Sequence, residues 1–198
     1  MEVSDTVFNT ENMEINGGTI KADAAGLENS GTATLTDVKI EAGTPADYSN
    51  ILYAGSVTTY DNVEIVSGGG GIAAVDGAEV IFNSGSVEVN TKSTSGRYLF
   101  YAEGEGTVIT INGGEFADFT KTTQNQKRAY VYAGTGTTVY INGGTFGAAS
   151  TRSGYTAGIL GEGTVVITGG TFGFNPSAWV ADGYEAVQNG TTWTVQAK

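Results

Sequence analysis

Four residues, Asn-Gly-Gly-Thr, followed by an aromatic or aliphatic side chain, recur along this chain. They read Ile15-Asn16-Gly17-Gly18-Thr19-Ile20, Ile141-Asn142-Gly143-Gly144-Thr145-Phe146 and, with Thr168 for Asn, Ile167-Thr168-Gly169-Gly170-Thr171-Phe172. Ile111-Asn112-Gly113-Gly114-Glu115-Phe116 is a close variant. Self-similarity at a period of about 20–30 residues marks a solenoid, in which each repeat buries its apolar face against its neighbours. Anchoring each unit on its last apolar residue gives Ile20, Ile40, Ile65, Val87, Phe116, Phe146 and Phe172, and so about seven coils.

The columns upstream of these anchors are regular. Five residues before each anchor stand Ile15, Leu35, Tyr60, Phe82, Ile111, Ile141 and Ile167. Two residues earlier come Met13, Ala33, Thr58, Val80, Ile109, Val139 and Val165, with Thr58 the polar exception. Apolar residues at period two mark strands with one buried face. The next column, Asn16, Thr36, Asp61, Asn83, Asn112, Asn142 and Thr168, reads as a hydrogen-bonded corner ladder. Gly17, Asp37, Asn62, Ser84, Gly113, Gly143 and Gly169 follow, a set chosen from residues that tolerate positive φ and so read as the bend itself. An apolar stretch and a Gly-rich turn precede each unit, as in Tyr98-Leu99-Phe100-Tyr101-Ala102 and Gly104-Glu105-Gly106-Thr107. The expected fold is all-β: a single-stranded parallel β-helix, right-handed by the crossover rule, over residues 1–173. Residues 174–198 break the pattern and read as a C-terminal cap. The cap is expected to hold a short helix opened by Asn175-Pro176 and a hairpin with a type I′ turn at Asn189-Gly190. Trp179, Tyr184 and Trp193 read as cap core rather than as a sugar-binding platform.

Composition narrows the chemistry. A net charge of −12 repels nucleic acid. With no cysteine there is neither a disulfide framework nor thiol chemistry, and with no histidine the commonest general base and metal ligand is missing. No apolar run reaches the length of a membrane span. Met1-Glu2-Val3-Ser4-Asp5 is polar and acidic and does not read as a signal peptide. The abrupt start, with repeat material by Met13, favours a fragment of a longer protein over a chain assembled without secretion.

The repeats together with the closing run Asn175-Pro176-Ser177-Ala178-Trp179-Val180-Ala181-Asp182-Gly183-Tyr184 and Trp193-Thr194-Val195 resemble right-handed parallel β-helix proteins of gut bacterial surfaces and bacteriophage particles. That resemblance implies a virion or cell-surface location. It also implies a choice of functions, since the superfold includes polysaccharide lyases, glycosidases, tail spikes and adhesins.

Function in a solenoid is expected on loops of variable length along one edge. Here those loops carry six of the nine basic residues. The candidate ligand-binding set is Lys92, Arg97, Tyr98, Phe119, Lys121, Arg128, Tyr130, Arg152 and Tyr155, a mix of cations and rings suited to an acidic glycan or an anionic partner. A calcium-dependent lyase needs a cluster of aspartates from adjacent coils, whereas Asp76, Asp118 and Asp182 are isolated in register. A glycosidase needs two close carboxylates, and Glu105 and Glu162 lie in non-adjacent coils. Ice binding needs flat Thr rows, which Glu79 and Tyr140 interrupt. The expectation is therefore a non-enzymatic structural or adhesive module with no cofactor and no metal, meeting a surface glycan or another virion or surface protein, with a homotrimer as one assembly. The rival is a lyase or glycosidase acting on an acidic polysaccharide.

Overall fold

The structure is a computed structural model, and it describes residues 2–43, 48–89, 97–116, 128–148 and 158–198, without the side chains of Arg97 and Arg128. A short strand β1 (Glu2–Val3) precedes seven units. The first two are β2 (Val7–Asn9) with β3 (Asn12–Lys21), and β4 (Leu27–Asn29) with β5 (Thr32–Ala42). Three-strand units follow: β6 (Tyr48–Leu52), β7 (Val57–Asp61) and β8 (Val63–Ser67), then β9 (Gly70–Val75), β10 (Glu79–Phe82) and β11 (Gly85–Val89). The next are β12 (Arg97–Glu103), β13 (Val108–Ile111) and β14 (Glu115–Phe116), then β15 (Arg128–Ala133), β16 (Thr138–Ile141) and β17 (Thr145–Ala148). The last unit is β18 (Ile159–Gly161), β19 (Thr164–Ile167) and β20 (Gly170–Gly173), and β21 (Tyr184–Asn189) and β22 (Thr192–Ala197) end the chain.

Each unit pairs in parallel with the next. One sheet runs β18-β15-β12-β9-β6-β4-β2. The other has two arms, β19-β16-β13-β10-β7 and β8-β11-β14-β17-β20, that meet at β5. They meet because β3 and β5 run straight through the corner that interrupts the later units. β2 and β4 have no clear sequence signal, being three residues long and ending in Asn9 and Asn29.

Register is conserved from unit to unit. The outward row Glu14, Thr34, Thr59, Ile81, Thr110, Tyr140 and Val166 is paired step by step. Because side chains alternate across each strand, this register stacks like on like inside. All seven anchors are at most 3% exposed. Phe82, Phe116, Phe146 and Phe172 form a column with ring centroids 5.7, 4.6 and 4.9 Å apart, the last pair within 5° of parallel. Burying each ring contributes about 1.5–3 kcal/mol relative to leaving it in water. Thr58, the polar exception, is fully buried, and its Oγ1 accepts a 2.8 Å hydrogen bond from Asn29 Nδ2. Asn9 Nδ2 donates to Asn29 Oδ1 at 2.7 Å, so a second, interior asparagine ladder supports the corner between the two sheets.

Two expectations about backbone are corrected. Positive φ does occur at Gly17, Asp37 and Asn62, but in later units it falls one residue on, at Gly85, Gly114, Gly144 and Gly170. Glycine in the earlier column there answers to crowding. A Cβ on Gly113 would lie 2.9 Å from the Asn83 carbonyl oxygen, and one on Gly143 or Gly169 would strike the carbonyl of Asn112 or Asn142.

The closing segment is also rearranged. The expected helix is a single 3-10 turn, Ser177–Trp179. Asn175 Oδ1 accepts hydrogen bonds from the Ser177 amide and hydroxyl. The helix stops because the chain is diverted into a bridge between Val180 and Ile167, with the Ala181 amide donating to Ile167 O. The hairpin loop is Gly190-Thr191, one residue later than expected, since Asn189 pairs with Thr192. Gly190 alone carries positive φ, at 66°, the type II′ pattern, which spares the β-branched Thr191 a left-handed conformation. β22 pairs antiparallel with β20 and so occupies its outer edge. Trp179, Tyr184 and Trp193 pack partly buried against the core. Among the described residues, no helix is long and apolar enough to cross a membrane.

Candidate functional site

The corner between the two arms is built by the repeat itself. Asn83 Nδ2 donates to Asp61 Oδ1 at 2.7 Å, Asn112 Nδ2 to Asn83 Oδ1 at 2.8 Å, and Asn142 Nδ2 to Asn112 Oδ1 at 2.9 Å. Thr168 Oγ1 continues the run to Asn142 Oδ1 at 2.8 Å. The amides all point the same way, and the carboxylate of Asp61 terminates the run as a pure acceptor. Asn16 stands in the same column, but its side chain makes no hydrogen bond among the described residues. A shorter parallel step joins Asn62 Nδ2 to Asp37 Oδ1 at 2.7 Å.

Beside this ladder a groove of about 900 Å³ runs along the stacking direction. Its floor is bare backbone at Gly18, Gly85, Gly114, Gly144 and Gly170. These glycines have φ between 102° and 120°, which side chains rarely adopt, and a Cβ on Gly85, Gly114, Gly144 or Gly170 would also crowd a carbonyl of the preceding unit. Lys39, Glu64, Ser86, Glu115, Thr145 and Thr171 line one wall and form a single in-register row. Asp37 and Asn62 stand at one end.

The two halves of this wall differ. Near the N-terminal units, Lys39 Nζ sits 3.0 Å from Glu41 and 3.1 Å from Glu64, and Lys21 bridges Glu2 and Glu41. Hydrogen bonding to Glu41 and Glu64 raises the Lys39 ammonium above its ordinary value, and Lys39 in turn lowers the Glu41 carboxyl. Farther along, the side chains of Ser86, Glu115, Thr145 and Thr171 have no hydrogen bond or ion pair among the described residues. This wall was missed in the sequence. It carries no conserved chemistry from coil to coil, and only the register brings its members into line.

The loop-edge candidates fare differently. Lys92, Phe119, Lys121, Arg152 and Tyr155 lie outside the described residues. Arg97 and Arg128 are brought opposite one another by backbone register. Tyr98 is half-buried, with its ring 5.8 Å from Tyr101 and 4.9 Å from Tyr132. Tyr101 and Tyr132 stack at 5.1 Å, and Tyr48 lies 5.5 Å from Tyr101. Mutual stacking occupies the faces of these rings. Tyr130 is corrected from surface contact to core. It is fully buried, its ring lies against Phe146 and Phe174, and its hydroxyl donates to Ala148 O at 3.2 Å. The amides of Tyr130 and Val131 both reach Gly158 O, at 2.8 and 3.4 Å, and both side chains are buried, as are Leu99 and Phe100 in the neighbouring unit.

Among the described residues, no group of three or more Asp or Glu side chains is placed to hold a metal ion. No protein-family model matches the chain, and neither a curated protein nor a solved structure matches it.

Proposed function

We propose that this chain is a right-handed parallel β-helix, that its closing turn and hairpin cap the open end of the stack, and that it serves as a non-enzymatic structural and adhesive module. The setting is a phage tail spike or fibre, or a bacterial surface, where a rigid rod displays contact residues to a surface glycan or to a neighbouring protein. The observation that carries this reading is the parallel pairing of each unit with the next, from β2 to β20, around one continuous apolar core, with a register shift between β17 and β20. A solenoid of this kind resists bending because every unit is bonded to both neighbours, which suits display. The acidic surface keeps such β-rich rods soluble.

Two measurements test the reading. Size-exclusion chromatography with light scattering places the chain: a stable trimer assigns it to a spike or fibre, and a monomer to a module of a surface protein. Assays on polygalacturonate and other polyuronates are expected to release neither unsaturated product nor reducing ends. Turnover that disappears in Lys121→Ala or Arg128→Ala, with folding intact, would replace the proposal with an enzyme acting on acidic polysaccharide.

A further inference from the structure

We infer that the groove over Gly85, Gly114, Gly144 and Gly170 binds a linear, neutral polysaccharide laid along the stacking direction. This goes beyond the loop-edge reading, because none of the residues lining the groove belongs to the loop-edge candidate set. Three observations point to this ligand class. The wall presents one polar side chain per coil, Ser86, Glu115, Thr145 and Thr171, in consecutive register. Parallel strands repeat at about 4.8 Å, a step comparable to one hexose of an extended glycan. Hydroxyl and carboxylate groups at that interval can hydrogen-bond successive sugar hydroxyls without shifting register. Second, those four side chains have no hydrogen bond or ion pair among the described residues, which leaves a ligand their polar atoms to bond.

The third observation is what the groove excludes. Its strands spend their amides and carbonyls on the coils above and below, so a peptide finds no free edge for β-augmentation. A polyanion meets Asp37, Glu64 and Glu115 on a chain of net charge −12. Among the described residues no aromatic ring lines the groove, so stacking of a sugar on a ring face is not invoked. Each hexose is therefore held weakly, and affinity comes from repetition along the polymer. Short oligosaccharides should compete poorly and long ones well.

The test uses the full chain over sensors carrying immobilised β-glucan, galactomannan or dextran, with polygalacturonate and polylysine as charged comparisons. Binding to at least one neutral polymer is expected. The double variant Ser86→Lys, Thr145→Lys fills the groove and should weaken that binding at least tenfold. The charge-matched pair Thr34→Lys, Thr110→Lys, on the outward face of the other arm, should leave it unchanged. Circular dichroism checks that each variant folds. The inference is overturned by no binding to any of the three neutral polymers, by binding only to polygalacturonate or polylysine, or by equal losses in the groove and outward-face pairs. It is equally overturned if Lys121→Ala with Arg152→Ala, in the candidate loop set, abolishes binding and the groove pair does not. The solution mass and polyuronate turnover that test the broader proposal are unaffected by any of these results.

Discussion

Replacing Gly143 by Ala separates two reasons for a conserved-looking glycine. Its φ is not positive, so by conformation alone alanine is acceptable or mildly stabilising. The obstacle is the neighbouring coil, because the added Cβ would strike the Asn112 carbonyl oxygen. Relief requires the two coils to part locally. The bonds at risk flank the site: Asn142 N to Ile111 O and Thr145 N to Gly114 O, both 2.8 Å. At about 1 kcal/mol each, with roughly 1 kcal/mol of residual strain, the expected loss is about 3 kcal/mol. Gly17 is the counterpart. It has φ 70° and nothing within 4 Å of an added Cβ. Gly17→Ala should lose only the left-handed penalty of about 1–2 kcal/mol, and Gly17→Asn should recover part of that. Gly143→Asn should recover nothing. Urea unfolding followed by tryptophan fluorescence reads all four variants. A smaller loss for Gly143→Ala than for Gly17→Ala, or rescue of position 143 by Asn, would refute the crowding argument.

Three further outcomes follow from the same geometry. Phe146→Ala, which removes a 2%-exposed ring lying between Phe116 and Phe172, should destabilise by about 4 kcal/mol in urea titrations, while Phe8→Ala, at a 70%-exposed position, should change little. Asn112→Ala breaks two ladder bonds at an exposed site and should lose about 1 kcal/mol; no change at all would mean the ladder only decorates the corner. The Lys39–Glu41 pair sets a pH window. Glu41 is lowered from 4.5, so its contribution holds above that value and fades as pH falls through the lowered one; Lys39 is raised from 10.5, so its contribution holds below that value and fades as pH rises through the raised one. The Tm difference between wild type and Lys39→Met should therefore be largest between those limits and shrink in high salt, both groups being exposed.

Much of the all-β, parallel-strand architecture was readable because the same columns recur from unit to unit. Seven apolar anchors and the asparagine column fixed where strands and corners fall, and the interior follows. What was hidden lay in contacts between coils. Whether Gly143 serves φ or clearance depends on the carbonyl of Asn112, some thirty residues earlier. Tyr130 groups with the loop-edge rings in the sequence because it adjoins a variable loop, and nothing in the sequence shows that it and Val131 both turn inward. The groove wall had no motif, since Lys39, Glu64, Ser86, Glu115, Thr145 and Thr171 share a row and not a residue type.

The central claim is the coil-by-coil parallel register, and the absence of native cysteine makes it directly measurable with paired spin labels. Labels at Glu14 and Thr110 span four steps of one outward row, and labels at Glu14 and Val166 span six. With about 4.8 Å per step, electron–electron double resonance should place the second pair about 10 Å farther apart than the first, each distribution narrow. Equal distances, or a broad distribution for either pair, would contradict the stacked register on which the account rests.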